Sequence, residues 1–104
     1  MTDKKEYLKS YLLQQNKINR LNEMARLNPD SSKRYMNEIE KCKALRIKIE
    51  NEISAMDDEL LKEVLFLKYV CGKNLEEVSY FINYSKRQTE RFHKAALEKF
   101  KTEK

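Results

Sequence analysis

Glycine and proline occur once each in 104 residues, and tryptophan does not occur at all. A fold of many short strands needs many turn residues, so this poverty excludes β-sandwiches and barrels. A single glycine cannot build a glycine-rich loop around phosphate, which excludes Rossmann and P-loop enzymes as well. No apolar run approaches the ~20 residues of a membrane span. The start, Met1-Thr2-Asp3-Lys4-Lys5-Glu6-Tyr7, lacks the apolar segment of a signal peptide. Both absences lead to the expectation of a cytoplasmic chain with no membrane contact. There are only two cysteines, Cys42 and Cys71, each inside a helical pattern. Their spacing leaves a disulfide formally open; the reading adopted is two buried thiols in a reducing compartment.

What is present in abundance is charge. Charged residues make up 38% of the chain and the formal net charge is +5, against a usual charged share of about 25%. Ala, Glu, Lys, Leu and Arg together account for 52 of the 104 residues, the composition of long helices and coiled coils. Disorder is the competing outcome for so charged a sequence. Six Tyr and four Phe, with apolar residues that recur at helical steps, argue against it. A hydrophobic share of 40% in so short a chain implies a thin, elongated protein whose core a partner copy could complete.

The lone Pro29 lies in Leu27-Asn28-Pro29-Asp30-Ser31-Ser32, a cluster of turn-forming residues. Before it, Tyr7, Tyr11, Ile18, Leu21 and Ala25 fall on alternating steps of four and three, with Gln14 in the same row. After it, Tyr35, Ile39, Cys42, Ile49, Ile53 and Met56 repeat the pattern, interrupted by Arg46. Two amphipathic helices of roughly 25 residues follow, folded back as an antiparallel hairpin over residues 1–56. Residues 57–104 read differently. Asp57-Asp58-Glu59 suits a helix start, and Leu60, Leu61, Val64, Leu65 and Leu67 carry that helix to Cys71. Gly72 sits where a left-handed residue would end it. Asn74 with Glu77, and Ser85 with Gln88, have the spacing of capping boxes. They open a short helix, with Leu75, Val78, Ser79 and Ile82 on one face, and a last helix over 85–100. That last helix is expected to bury Thr89, Phe92, Ala96 and Phe100. Between 54 and 57 no Gly or Pro marks a break, so a bend and a continuous helix both remain open.

Three helices in 45 residues, the last two joined by a tight turn, make a helix-turn-helix pattern. The run Leu65-Phe66-Leu67-Lys68-Tyr69-Val70-Cys71-Gly72-Lys73-Asn74-Leu75-Glu76-Glu77-Val78-Ser79 resembles the helix-turn-helix of sigma factor region 4. Lys68 stands in place of that pattern's arginine, and Val78-Ser79 in place of isoleucine-alanine. The following stretch, Tyr84-Ser85-Lys86-Arg87-Gln88-Thr89-Glu90-Arg91-Phe92-His93-Lys94-Ala95-Ala96-Leu97, is similar to phage and prophage late-transcription regulators of the ArpU and RinA kind. In those the helix begins tyrosine-serine-x-arginine and ends arginine-leucine-histidine, then alanine-leucine. The resemblance covers about residues 57–100. Gln88 and Thr89 depart from its usual bulky aromatic and valine, and Ala95 from a common basic residue. It implies a sequence-specific, DNA-binding transcriptional regulator of phage or prophage origin, with the helix 85–100 in the major groove. It implies no enzyme activity and no cofactor.

The charge distribution adds an independent argument. Residues 57–84 carry a net −3 and residues 85–104 a net +4, so the sign reverses where the last helix starts. DNA-binding helices direct Lys and Arg to phosphates and a few polar side chains to base edges. The candidate DNA-binding residues are Ser85, Lys86, Arg87, Gln88, Glu90, Arg91 and Lys94. Arg87 has the chemistry to read guanine, Gln88 adenine, and Lys94 to hold phosphate.

Each feature also has a plainer reading. A basic helix face is commonly just solvated, and Gln88 has a second role as the capping partner. His93, with no ligand-spaced partner, reads as a packing residue and not as a catalytic or metal-binding one. The Tyr and Phe residues at helical spacing read as core. The hairpin, net +4 over 1–56, reads as a homodimerisation arm through residues 3–56, or as a contact for RNA polymerase. Two other functions compete with the regulator: a small terminase-like DNA-packaging subunit, and a helical protein-interaction adaptor that does not bind DNA.

Overall fold

The computed structural model describes residues 3–101, and these contain five α-helices and no strand. Helix α1 spans Lys4–Leu27 and α2 spans Ser32–Ser54. Asp3 opens α1 by accepting from the Lys5 amide. A single 3-10 turn over Pro29–Ser31 reverses the chain, because proline presets φ and Asn28 ends the preceding helix outside helical geometry. The result is the antiparallel hairpin expected from the two periodic rows. Its distal half closes on Ile18, Leu21, Ile39 and Cys42. Gln14 is buried and Arg46 half-buried, with Arg46 Nη1 donating to Gln15. Tyr11 donates to Glu50 at 2.5 Å and Tyr7 donates to Glu52, which ties the flanks of the two helices.

The chain does break after α2. Asp58 accepts from the Leu61 amide at 3.0 Å and starts α3 at Glu59–Leu65. A π-helical turn over Phe66–Val70 continues it. Gly72, at φ +75°, then ends this helix. The Lys73 amide reaches back to the Leu67 carbonyl at 3.0 Å, satisfying a carbonyl the helix end would leave orphaned. Helix α4 is Leu75–Ile82 and α5 is Lys86–Lys99. Asn83, in the left-handed region at φ 61°, forms the tight turn between them. Asparagine tolerates that conformation better than most residues.

One core unites the proximal hairpin with α3, the π turn and α5. Leu8, Tyr11, Ile49 and Ile53 pack with Leu61, Leu65, Tyr69, Ala96 and Phe100. Leu8, Ile53, Leu65 and Phe100 are fully buried, each stabilising the fold by about 1.5–3 kcal/mol. Lys4 Nζ adds a polar tie to the Leu97 and Glu98 carbonyls at 3.0 and 3.1 Å. The outline is elongated, 52 × 29 × 22 Å.

Several expectations about individual side chains are corrected. Leu8 takes the buried place given to Tyr7, which is only half-buried, as is Ala25. Leu8 shares a core with Ile49 and Ile53 of α2 and also with the C-terminal helices, a second set of neighbours that the hairpin pattern does not encode. Cys71 is exposed, since it occupies the exit from the π turn just before Gly72; Cys42 is buried and both thiols are free. Phe92, expected in the buried set, is only half-buried, whereas His93 is buried, in keeping with its reading as a packing residue. The expectation of core aromatics fails for Tyr80, Phe81 and Tyr84, which are 74%, 60% and 42% exposed.

Candidate nucleic-acid interface

Two capping boxes set the geometry of the helix-turn-helix. Asn74 accepts from the Glu77 amide at 2.9 Å while Glu77 accepts from the Asn74 amide at 3.0 Å. Ser85 Oγ accepts from the Gln88 amide at 3.1 Å, and Gln88 Oε1 accepts from the Ser85 amide at 3.3 Å. Each box satisfies donors that a helix start otherwise leaves unpaired. Tyr84 meets Phe92 edge-on, with ring centroids 4.9 Å apart, and so braces the turn against α5.

One face of α5 is fixed to the core by Thr89, His93 and Ala96, with Phe100 as its C-cap. Thr89 Oγ1 also donates to the Ser85 carbonyl at 2.9 Å. The remaining face is solvent-facing: Ser85, Lys86, Arg87, Gln88, Glu90, Arg91 and Lys94 are all exposed. Five basic residues elsewhere (Lys9, Arg26, Lys41, Lys43 and Lys62) sit within 4.0 Å of a carboxylate three positions away. Among the described residues none of Lys86, Arg87, Arg91 and Lys94 has such a pairing. Glu90 shares this face, yet it is not within 4.0 Å of any of these cations.

Gln88 is committed through Oε1, which also takes the Ser85 hydroxyl at 3.2 Å. Bidentate reading of adenine needs both its oxygen and its nitrogen, so it would require the box to open. The amide nitrogen of Gln88 remains a donor for a single base contact.

Behind α5, Tyr69 Oη lies 2.7 Å from His93 Nε2, and both residues are buried. Burial pushes the Tyr69 hydroxyl up to about 12, helped by the Asp3 charge. Burial, then the charges of Lys68 and Lys5, push His93 down to about 4. His93 is therefore a neutral packing residue at neutral pH, and it anchors α5 to the π turn. Among the described residues no cluster of His, Cys, Asp and Glu side chains has metal-site geometry, and no helix is long and apolar enough to cross a membrane.

Sequence reasoning missed two elements of this surface. Tyr80 and Phe81 stand exposed on α4, with Lys73 Nζ 5.6 Å from the Phe81 ring centroid. Lys5 and Lys68, whose charges converge on His93, come from helices far apart in the chain; only the third dimension joins them. Comparison with protein-family models, curated proteins and solved structures finds no match to this chain.

Proposed function

We propose that the chain is a sequence-specific DNA-binding transcriptional regulator of the phage or prophage kind, acting in the cytoplasm without enzymatic activity. The observation that carries this reading is the two-sidedness of α5. Its inner face is locked by Thr89, His93 and Ala96, and its outer face offers Lys86, Arg87, Arg91 and Lys94, none of which is ion-paired among the described residues. A rigid, capped helix with unneutralised Arg and Lys suits a major groove, where its first turns reach base edges and its flanks reach phosphates. Arg87 is the reader of guanine, Arg91 and Lys94 hold backbone, and Gln88 contributes one donor. The hairpin 3–56 joins two protomers, for which exposed Leu13, Leu45 and Ile47 supply apolar surface. Two copies then read paired half-sites about one helical turn apart.

Titrating labelled duplex DNA at salt concentrations from about 50 to 200 mM tests the proposal. Binding that weakens steeply with salt, and that falls at least tenfold in Arg87→Ala with Arg91→Ala, is expected. No binding at low salt, or no effect of the double substitution, overturns it. A second reading, a helical adaptor, draws support from Tyr80 and Phe81, exposed beside the acidic Glu76 and Glu77. A pull-down partner lost in Tyr80→Ser with Phe81→Ser, without any DNA shift by the parent chain, would favour it.

A further inference from the structure

The N-terminal turns of α1 lie against the helix-turn-helix at three places. Lys4 Nζ donates to the Leu97 and Glu98 carbonyls at the end of α5. Leu8 packs in the core shared with Leu65 and Tyr69. Leu12 Cδ1 lies in van der Waals range of Gly72, 3.6 Å from where a Cβ there would stand. Lys5, Lys9 and Leu12 follow one another at steps of four and three, so they form a single stripe along α1. That stripe is bordered by the segment holding Lys68, whose ammonium lies 5.6 Å from the Tyr69 ring centroid. Tyr69 in turn holds His93 of α5. Folding therefore brings the α1 stripe with Lys5 and Lys9 beside the segment that holds Lys68, and the charges of Lys5 and Lys68 both reach His93 of α5.

The arrangement carries a cost. Lys68 is half-buried and its pKa is lowered, first by burial and then by Lys5 and Lys9. Among the described residues the ion pair that involves these three is Lys9 with Glu6, at 3.8 Å and well exposed, which is worth little. Asp3 lies close enough to act on Tyr69, but its carboxylate already caps α1 at the Lys5 amide. Among the described residues neither Lys5 nor Lys68 is paired with a carboxylate, so the cluster has charge left to meet an anion. The π-helical turn that holds Lys68 is a geometry found disproportionately at functional sites.

We propose that Lys5, Lys9 and Lys68 form a second contact for the DNA phosphate backbone, alongside the strand that flanks α5 in the groove. The inference rests on the DNA-binding reading above and extends it: the hairpin is part of the DNA-contacting surface and not only a protein-interaction arm. The ligand is the phosphodiester backbone, so this contact adds affinity and fixes orientation without reading sequence.

The test compares the full-length parent with Lys5→Gln/Lys9→Gln/Lys68→Gln and with Lys33→Gln/Lys41→Gln/Lys43→Gln. The second variant removes the same charge near the hairpin's distal core, which none of the three C-terminal helices joins. Affinity for labelled duplex is measured against salt. Loss of three phosphate contacts should make the log–log salt slope shallower by about 0.9 for each contact. The distal variant should retain a slope close to the parent's. The thermal midpoint of the first variant without DNA should match or exceed the parent's, because repulsion has been removed. In addition, DNA should slow amine-directed acetylation of Lys5, Lys9 and Lys68 in the parent. Equal losses in both variants, or a Lys5/Lys9/Lys68 variant that binds like the parent while Arg87→Ala with Arg91→Ala does not, overturn this inference alone. No DNA binding by the parent overturns both readings.

Discussion

His93 is the only histidine in the chain, and its position makes acid stability calculable. Burial and the charges of Lys68 and Lys5 lower its pKa from 6.5 to about 4. Between those values the unfolded chain binds a proton that the folded chain refuses. A neutral buried ring thus contributes stability that is fully present above pH 6.5 and is lost as pH falls toward 4. With these two pKa values the loss at pH 5, relative to pH 8, is about 2 kcal/mol. Salt screening of the two lysines makes that figure a ceiling. For a domain of this size it is a substantial share of total stability. Urea unfolding of the parent and His93→Gln at pH 8, 6.5 and 5 provides the measurement. Carboxylates titrate in both proteins, so the difference between them isolates the imidazole. The Gln variant should start less stable at pH 8 and lose up to ~2 kcal/mol less on going to pH 5. Parallel pH curves for the two proteins, or an NMR titration of the His93 ring with a midpoint at about 6 or above, would refute the reasoning.

Other substitutions probe the frame that holds α5. Leu8→Ala empties a fully buried site in the core shared by hairpin and helix-turn-helix. It should cost about 2–5 kcal/mol and lower a single cooperative transition in circular dichroism, not one of two separable transitions. Ser85→Ala removes the cap of α5 and should cost about 1 kcal/mol in urea unfolding. Gly72→Ala has room, with Leu12 at 3.6 Å, but forces a side chain to φ +75°. It should cost about 1–2 kcal/mol in the same assay through the backbone alone.

The helices, their starts and the reversal at Pro29 could be read in the sequence because their signals are local. Ser85 and Gln88, or Asn74 and Glu77, need only three residues of spacing to specify a cap. The seam residues Ile18, Leu21, Ile39 and Ile49 were equally legible, since a helical repeat encodes which face is apolar. What a repeat does not encode is a second neighbour. Leu8 is buried because α1 meets two partners, α2 on one side and the π turn with α5 on another. For the same reason His93 exceeds Phe92 in burial: Tyr69 comes from a different helix to cover it. Tyr80 and Phe81 defeat the expectation of a buried aromatic because α4 has only eight residues and packs through Val78 and Ser79. The exposed set from Ser85 to Lys94 was legible, as the complement of the buried face. The gathering of Lys5, Lys9 and Lys68 was not, because it depends on how the hairpin lies against the C-terminal helices.

Whether α5 reads DNA decides the function proposed for this chain. Selection of bound sequences from a pool of random duplexes, performed with the parent chain and with Arg87→Ala, reports this most directly. The parent should enrich a defined motif containing guanine, arranged as two half-sites about one helical turn apart. The Arg87→Ala pool should lose the preference for that guanine while keeping the spacing. A parent pool that stays random through successive rounds, or a motif unchanged by Arg87→Ala, would contradict the assignment of α5 as the recognition helix.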